Sequence, residues 1–329
     1  TNIGCTECAD GEILQLDSMI CQVSTWDCPT TLIVIQGKKY CRTANIYIDP
    51  TSTSPSELGT ANFPYKSIDQ AFIEVFNFWP RDNAHPANIL VKEGTTNKIY
   101  FQERPLVVNR KDNIVLTTYK VSDKSFPGEQ ANLMITNTET YAPVATTRKS
   151  LMAGIDYDYA GVGADLETRE KNDIDTKWYT FIIVQSHFKI DQFKIDNVLK
   201  LEDDDFAIVY PISNLLQRTL TIDNCYFVNY GTVMYTTTSI GFSSTNVTME
   251  TPRLVGGYVF IVSCLDTTKE VVTGEVVIDK LNFTGSRNIL FKYGGVYMTG
   301  TQNFTILNMV MPSKISDQIQ KWYVLLGKS

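Results

Sequence analysis

Histidine is almost missing from this chain: the 329 residues include two, His85 and His187. Neither has cysteine or carboxylate neighbours at the spacing of a metal site. The chain also lacks the Gly-x-Ser-x-Gly elbow of serine hydrolases, a phosphate-binding glycine loop and the HExxH pattern of zinc proteases. These absences leave the common metal, phosphate and serine-triad chemistries without support in the sequence.

Long apolar runs and basic clusters are missing as well. Hydrophobic residues make up 43% of the chain, but no run approaches the roughly 20 apolar residues of a membrane-spanning helix. The net charge is −7, from 29 basic and 36 acidic residues. The basic residues form no patch that could bind a phosphate backbone. We therefore expect no membrane span in this chain and no nucleic-acid partner.

Cysteine is rare after residue 41 but dense before it. A short, loop-rich segment cannot bury enough apolar surface to hold its shape, so we expect disulfides within residues 1–43. Zinc is the alternative, but the Cys-x-x-Cys pair has no second copy. The pattern resembles the furin-like or EGF-like modules of extracellular proteins. Five cysteines are predicted to form disulfides, with the pairing left open and one thiol in excess: Cys5, Cys8, Cys21, Cys28 and Cys41.

A repeat in the second half of the chain predicts its architecture. Five apolar–x–apolar pairs follow one another at intervals of 27 to 29 residues: Phe193/Ile195, Leu220/Ile222, Val247/Met249, Val276/Ile278 and Phe304/Ile306. A period of this length indicates stacked units, and alternation within each unit indicates strands. The sequence thus predicts an all-β solenoid of stacked coils.

The same alignment predicts three columns of stacked side chains. Phe227, Leu254, Phe283 and Met311 should form one buried ladder. Asp196, Asp223, Glu250 and Asp279 should form an outward or turn-forming acidic column, with cation binding as the alternative. Cys225 belongs to a third, mostly apolar column and is expected to be a small core residue rather than a disulfide partner of Cys264.

The segment before the repeat resembles the opening of right-handed parallel β-helices of the pectate-lyase-like superfamily. The matching residues are Ile46-Tyr-Ile-Asp-Pro50, Gly59-Thr60, Pro64-Tyr-Lys-Ser-Ile68 and Ala71. The resemblance implies a right-handed parallel β-helix whose open end is covered by a short helix. Apolar residues at three- and four-residue spacing, with a Ser67–Gln70 capping box, predict that helix over residues 67–78.

These patterns divide the chain into three parts. Residues 1–43 form the disulfide module, residues 44–315 the parallel β-helix, and residues 316–329 a C-terminal tail or cap. The alternation fades over residues 138–177, which we interpret as a long excursion from the solenoid. Three sequons, at Asn246, Asn282 and Asn303, predict N-linked glycans. Asn246 and Asn303 each precede an inward residue of the aligned repeat, so they should face outward in one column.

The main candidate for a catalytic or metal-binding site is the acidic run that contains Asp203, Asp204 and Asp205. Paired carboxylates can bind calcium or cleave glycosidic bonds, although an acidic turn between two strands explains the same residues. Polygalacturonase-like members of the superfamily carry Gly-His-Gly and Arg-Ile-Lys motifs, and this chain has neither.

We therefore expect a structural, secreted or cell-surface glycoprotein that associates with copies of itself in an extracellular filament, coat or matrix. No cofactor or enzymatic activity is expected. The combination of cysteine module and Thr/Asn-rich coils resembles the large surface proteins of protists such as ciliates. Two alternatives stay open: a polysaccharide lyase or glycoside hydrolase acting on acidic polysaccharide, with calcium as its one plausible cofactor, and a non-catalytic glycan-binding module.

Overall fold

The structure is a computed structural model, and most of the residues that it describes belong to parallel strands. It describes residues 8–100 (save 17, 29, 36 and 81–84), 106–108, 112–120, 129–136, 179–197 (save 185), 206–211, 219–228, 232–236, 241–250, 258–264, 274–283, 289–295, 302–307 and 324–325. The predicted excursion and most of the predicted C-terminal part, residues 316–329, lie outside these ranges.

A small four-stranded sheet opens the chain. Its strands are β1 (Ile13–Gln15), β2 (Ile20–Gln22), β3 (Thr31–Ile35) and β4 (Lys38–Arg42), in the order β2-β1-β4-β3. Disulfides join Cys8 to Cys21 and Cys28 to Cys41. The prediction of disulfides is confirmed for these four cysteines, and Cys5 lies outside the described residues.

The solenoid has three faces, and all strand pairs within them are parallel. The first face contains β5 (Asn45–Ile48), β6 (Ala87–Lys92), β9 (Asn113–Tyr119), β12 (His187–Asp191), β15 (Thr219–Asp223), the start of β18 (Gly241–Glu250), the start of β20 (Gly274–Phe283) and β22 (Gln302–Leu307). The second face contains β7 (Thr96–Tyr100), β10 (Ala131–Thr136), β13 (Phe193–Asn197), β16 (Tyr226–Val228) and the ends of β18 and β20. The third face contains β8 (Leu106–Val108), β11 (Tyr179–Val184), β14 (Phe206–Pro211), β17 (Thr232–Thr236), β19 (Tyr258–Cys264), β21 (Ile289–Gly295) and β23 (Val324–Leu325).

The chain visits the first, second and third faces in turn, so each circuit adds one strand to each face. This is the predicted right-handed parallel β-helix, and the fold class is confirmed. Inward side chains form columns because parallel strands stack in register. The central column of the first face contains Ile46, Ile89, Leu116, Ile190, Ile222, Ser244 and Ile278, all nearly inaccessible to solvent.

Helix α1 (Ile68–Phe78) closes the N-terminal end as predicted. Ser67 is its N-cap: its hydroxyl accepts from the Asp69 amide, and its own amide donates to the Gln70 side chain. The helix packs on β5, β6, β8 and β3, and its Phe72 ring meets Phe188 of the core edge-on at 6.3 Å. The open edge of β5 is covered separately, because Tyr47 exchanges backbone hydrogen bonds with Gly59 and Tyr65.

The predicted register of the repeat is wrong at two of its five pairs. Phe193/Ile195 and Val247/Met249 belong to the second face, whereas the other three pairs belong to the first. The first-face partners of Leu220/Ile222 are Phe188/Ile190 below and Phe242/Ser244 above. The predicted ladder is corrected accordingly: Ile195, Phe227, Met249 and Phe283 lie in one file, and Leu254 and Met311 lie outside the described residues.

The cause of this misalignment is a duplication inside one coil. Residues 188–191 and 193–196 have the same sequence, Phe-Lys-Ile-Asp, and a single residue, Gln192, separates them. Each copy has the alternation of an inward-facing strand, so the pattern alone does not tell which copy belongs to which face. In the next coil but one, Ser244 interrupts the apolar column and hides the correct partner.

No helix within the described residues is both long enough and apolar enough to cross a membrane.

Candidate functional site

The edge between the first and second faces contains a row of polar residues that contact one another from coil to coil. The backbone turns there through single residues with positive φ: Gln192 (66°), Asn224 (50°), Asn246 (55°) and Lys280 (53°). We call these four residues the corner column. Left-handed backbone is disfavoured for side chains other than glycine and is best tolerated by asparagine. The turns are tied to the coil above, since the amides of Gln192 and Asn224 donate to the carbonyls of Asp223 and Thr245.

Side-chain amides of the corner column form a directional chain of hydrogen bonds. Asn246 Nδ2 donates to Asn224 Oδ1, and Asn224 Nδ2 donates to Asp191 Oδ1, both at 2.9 Å. The chain therefore ends on a carboxylate, and a hydrogen bond to an ionised acceptor is stronger than one between neutral groups. Three successive coils are linked on their outer surface by this series.

Beside the corner column, one lysine bridges two carboxylates. Lys189 Nζ lies 2.9 Å from Asp223 Oδ2 and 3.4 Å from Asp191 Oδ2. Burial alone would lower the pKa of Lys189, but the hydrogen bond to Asp223 and the charges of both carboxylates outweigh it and raise the pKa. The lysine therefore stays protonated, and both carboxylates have a cationic partner.

A cleft of about 490 Å³ opens beside the corner column. Four amide side chains (Gln130, Gln192, Asn224 and Asn246) line it, together with Tyr226 and Thr248. None of these side chains is charged at neutral pH, so the cleft can donate and accept hydrogen bonds without attracting ions. Such a surface suits a neutral, hydroxyl-rich ligand better than a metal or a phosphate.

The predicted site residues do not come together in the described structure. Asp203, Asp204 and Asp205 lie outside the described residues. Asn246 is exposed in the corner column, whereas Asn282 and Asn303 lie in strands β20 and β22. The expected single column of asparagines is wrong, because Asn303 pairs with Glu275 on the first face and Asn246 turns the corner to the second.

The predicted acidic column is also wrong as a single file. It splits between two faces: Asp223 and Asp279 are on the first, and Asp196 and Glu250 are on the second. Residues without a carboxylate interrupt both series, Thr245 on the first face and Val228 on the second. The free cysteine Cys225 is buried, as predicted for a core residue, so the alternative of a disulfide with Cys264 is excluded.

Among the residues that the structure describes, one group of side chains has the proximity of a metal site. Ligand atoms of Cys8, Glu12 and Cys21 lie within 4.8 Å of one another. The two sulfur atoms are bonded to each other in the disulfide, so neither is a thiolate that could bind zinc. Calcium binding by the acidic run at Asp203–Asp205 stays a prediction.

Sequence reasoning missed Lys189, Gln192 and Asn224 as members of an organised surface. The signal was the duplicated Phe-Lys-Ile-Asp, since two copies so close together require a tight turn between them. The Asn-Cys and Asn-Val steps at residues 224 and 246 mark the same turn in later coils.

Comparison with known proteins identifies no family. No family model matches the chain, and no curated protein matches it. Among solved structures, the chain is similar to pectin methylesterase from Aspergillus niger in deglycosylated form. The identity is 9%, the TM-score is 0.38, and the alignment covers 87% of this chain and 92% of that one. The parallel strand pairing described above defines the fold of this chain.

Proposed function

We propose that the chain is a non-catalytic structural glycoprotein, a rigid rod in an extracellular filament, coat or matrix. The observation that carries this proposal is the mutual pairing of polar groups in and beside the corner column. Lys189 binds two carboxylates, and Asn224 links one of them to the amide of Asn246. These contacts bind coils to each other and so favour rigidity.

Catalysis by these carboxylates would require a different arrangement. Glycosidic cleavage uses one carboxylic acid held protonated and a second carboxylate directed at the sugar. Asp191 and Asp223 instead both contact one ammonium group, that of Lys189, so they are paired with the protein rather than directed at a ligand. The enzymatic alternative therefore depends on Asp203–Asp205, outside the described residues.

Association between copies has a candidate surface on the N-terminal sheet. Residues paired across a sheet share a face, which puts Ile20 and Leu32 on the side that carries Cys41. Ile20, Leu32 and Val34 are 52%, 41% and 48% exposed. Within the described residues, β3 pairs with β4 alone, so its second edge is open for contact. The edge of β5 is already covered, which favours association through this sheet over end-to-end stacking of coils.

An oxidising compartment is part of the proposal. Two disulfides hold the small N-terminal sheet, and such disulfides persist outside the cytosol. The three sequons at Asn246, Asn282 and Asn303 would then be modified by N-glycans. We also keep the division into residues 1–43, 44–315 and 316–329 as a proposal about domains.

Sedimentation velocity tests the association surface. The double variant Leu32→Ser/Val34→Ser is expected to shift the assembly toward monomers, because it removes exposed apolar area on one face. Ile73→Ser is the matched control, since Ile73 is 52% exposed but lies on α1. Monomeric wild-type protein over the full concentration range would contradict self-association, and equal effects of both variants would contradict the assigned surface.

Glycan binding is a second candidate function, favoured by one pair of aromatic residues. Tyr47 and Tyr119 lie edge to face on the outside of the first face, with ring centroids 5.2 Å apart. Aromatic rings at a partly exposed polar surface provide an apolar contact for sugar rings. Binding of oligosaccharides without cleavage, lost in Tyr47→Ala, would support this function over the structural one.

A further inference from the structure

The cleft beside the corner column has the chemistry of a sugar subsite. Four residues with uncharged amide side chains line it, together with Thr248, Tyr226 and Cys225. Sugars with an acetamido group offer hydroxyls and an amide for such walls, and a flat apolar face for an aromatic ring. Its volume of about 490 Å³ is within the usual range of roughly 300–1,000 Å³ for sites that bind small molecules.

The cleft also has an attachment point for such a sugar at its rim. Asn246 lines the cleft, is exposed, and is the acceptor of the sequon Asn246-Val247-Thr248. Thr248, the third residue of the same sequon, lines the cleft too and pairs in register with Tyr226. We propose that this cleft is a saccharide subsite that holds the first acetamido sugars of a glycan linked to Asn246 itself. This inference rests on the glycosylation proposed above.

The modification is compatible with the hydrogen-bond chain. Asn246 Nδ2 attacks the anomeric carbon of a diphosphate-activated oligosaccharide, the new N–C bond replaces the C–O bond to the diphosphate, and one amide proton is lost. The nitrogen keeps its second hydrogen. The series of hydrogen bonds needs only one donor from Asn246 to Asn224 Oδ1, so this hydrogen is sufficient. Val247 and Met249 are buried in the paired strand β18, so the transfer must precede folding of this strand.

The covalent bond to Asn246 explains why the sugar would occupy an open, polar cleft. A free oligosaccharide binds such a surface weakly, because water competes for every hydrogen bond. A sugar attached at the rim has an effective concentration of about millimolar or more, which makes a weak contact sufficient. The contact would in turn cover the outer end of the corner column.

Site-resolved removal of the glycan tests the inference. Native protein from a secretory host is treated with a peptide N-glycosidase, which hydrolyses the bond between Nδ2 and the first sugar. Mass spectrometry then measures the rate at Asn246 and, as an internal reference, at Asn303. We expect Tyr226→Ser to raise the rate at Asn246 about three- to tenfold and to leave the rate at Asn303 unchanged. Lys194→Ser is the matched control, because Lys194 is the neighbour of Tyr226 in the same outward file but does not line the cleft.

Each other result overturns the inference in a recognisable way. If the glycan on Asn246 is removed at the same rate in the wild type, Tyr226→Ser and Lys194→Ser, the glycan is exposed and does not occupy the cleft. The proposed glycosylation would then still hold. An unmodified Asn246 in native material overturns both. Tight binding of free chitobiose by Asn246→Gln would show that the cleft takes its sugar from solution.

Discussion

Arg42 and Glu74 form a buried ion pair that joins the disulfide sheet to helix α1. Their side chains are 1% and 3% exposed. The guanidinium also donates to the carbonyl of Gly59 at 2.9 Å, and Glu74 accepts a hydrogen bond from Tyr65 at 2.6 Å. One charged pair thus connects the N-terminal sheet, the loop that covers β5, and the helix that closes the solenoid.

Glu74→Gln should destabilise this end of the protein strongly. It leaves a buried guanidinium without a counter-charge, which costs about 3–5 kcal/mol. Glu57→Gln is the control, because Glu57 meets Lys66 at 3.5 Å with both side chains partly exposed, and such pairs contribute at most about 1 kcal/mol. Urea unfolding followed by tryptophan fluorescence measures both. Equal losses would contradict the role given to Arg42.

Gly59→Ala should cost more than Gly37→Ala, although both glycines have positive φ (66° and 81°). The shared conformational penalty is about 1 kcal/mol. A Cβ at Gly59 would lie 2.6 Å from the Tyr65 ring, whereas a Cβ at Gly37 would have no neighbouring atom within 4 Å. The clash adds about 1–3 kcal/mol. Thermal unfolding of the two variants isolates this difference, and identical melting temperatures would show that the loop yields freely.

Asn224→Ala tests the hydrogen-bond chain of the corner column. It removes the bonds to Asp191 and Asn246 and puts alanine in a left-handed conformation. The expected loss is about 2–4 kcal/mol. Asn88→Ala, which breaks one amide contact with Asn45 at 3.0 Å, should cost about 1 kcal/mol. Chemical denaturation compares them, and a loss for Asn224→Ala no larger than the control would argue against a stabilising ladder.

Lys189→Met should make stability depend on the salt concentration. Without the ammonium group, Asp191 and Asp223 repel each other, at a cost of about 1 kcal/mol. In urea unfolding the deficit should shrink at high salt, because dissolved ions screen the repulsion between partly exposed charges. Lys194→Met is the control, since Lys194 lies 3.9 Å from one carboxylate, Asp196. A deficit that is the same at about 0.05 M and about 1 M salt would contradict the bridging role.

The buried thiol of Cys225 should make the protein sensitive to alkali. Desolvation raises the pKa of this thiol to about 12, whereas an unfolded cysteine ionises near pH 8.5. The folded chain therefore holds a proton that the unfolded chain releases, so stability falls as pH rises from about 9, by up to about 1.4 kcal/mol per pH unit. Tyr65 and Tyr119, whose pKa values burial also raises, add to the loss above about pH 10. Urea midpoints at pH 8, 9 and 10 should show a later onset in Cys225→Ala, and an unchanged onset would exclude the thiol as the cause.

Local sequence patterns predicted the helix and the strands of this fold correctly, but they did not predict which strands stack on one another. The Ser67–Gln70 capping box and the spacing of Ile68, Ala71 and Phe72 are local signals, and α1 begins where they place it. Register depends on which strands stack, and the duplicated Phe-Lys-Ile-Asp supplied two equivalent choices. The structure resolves the choice through the turn at Gln192, which puts the two copies on different faces.

The candidate site was harder to predict, because its contacts are long-range. Asp191 and Asn224 are 33 residues apart, and Arg42 and Glu74 are 32 apart. No periodic pattern links either pair. Left-handed backbone at Gln192 and Lys280 runs against residue preference and was not foreseeable from their identities.

Electron microscopy of the native material tests the structural role most directly. The account predicts slender rods arranged in an ordered filament, coat or matrix, with no cleavage of acidic polysaccharide by the same preparation. Dispersed single particles that cut polygalacturonate, with activity lost in Asp203→Asn or Asp205→Asn, would contradict it.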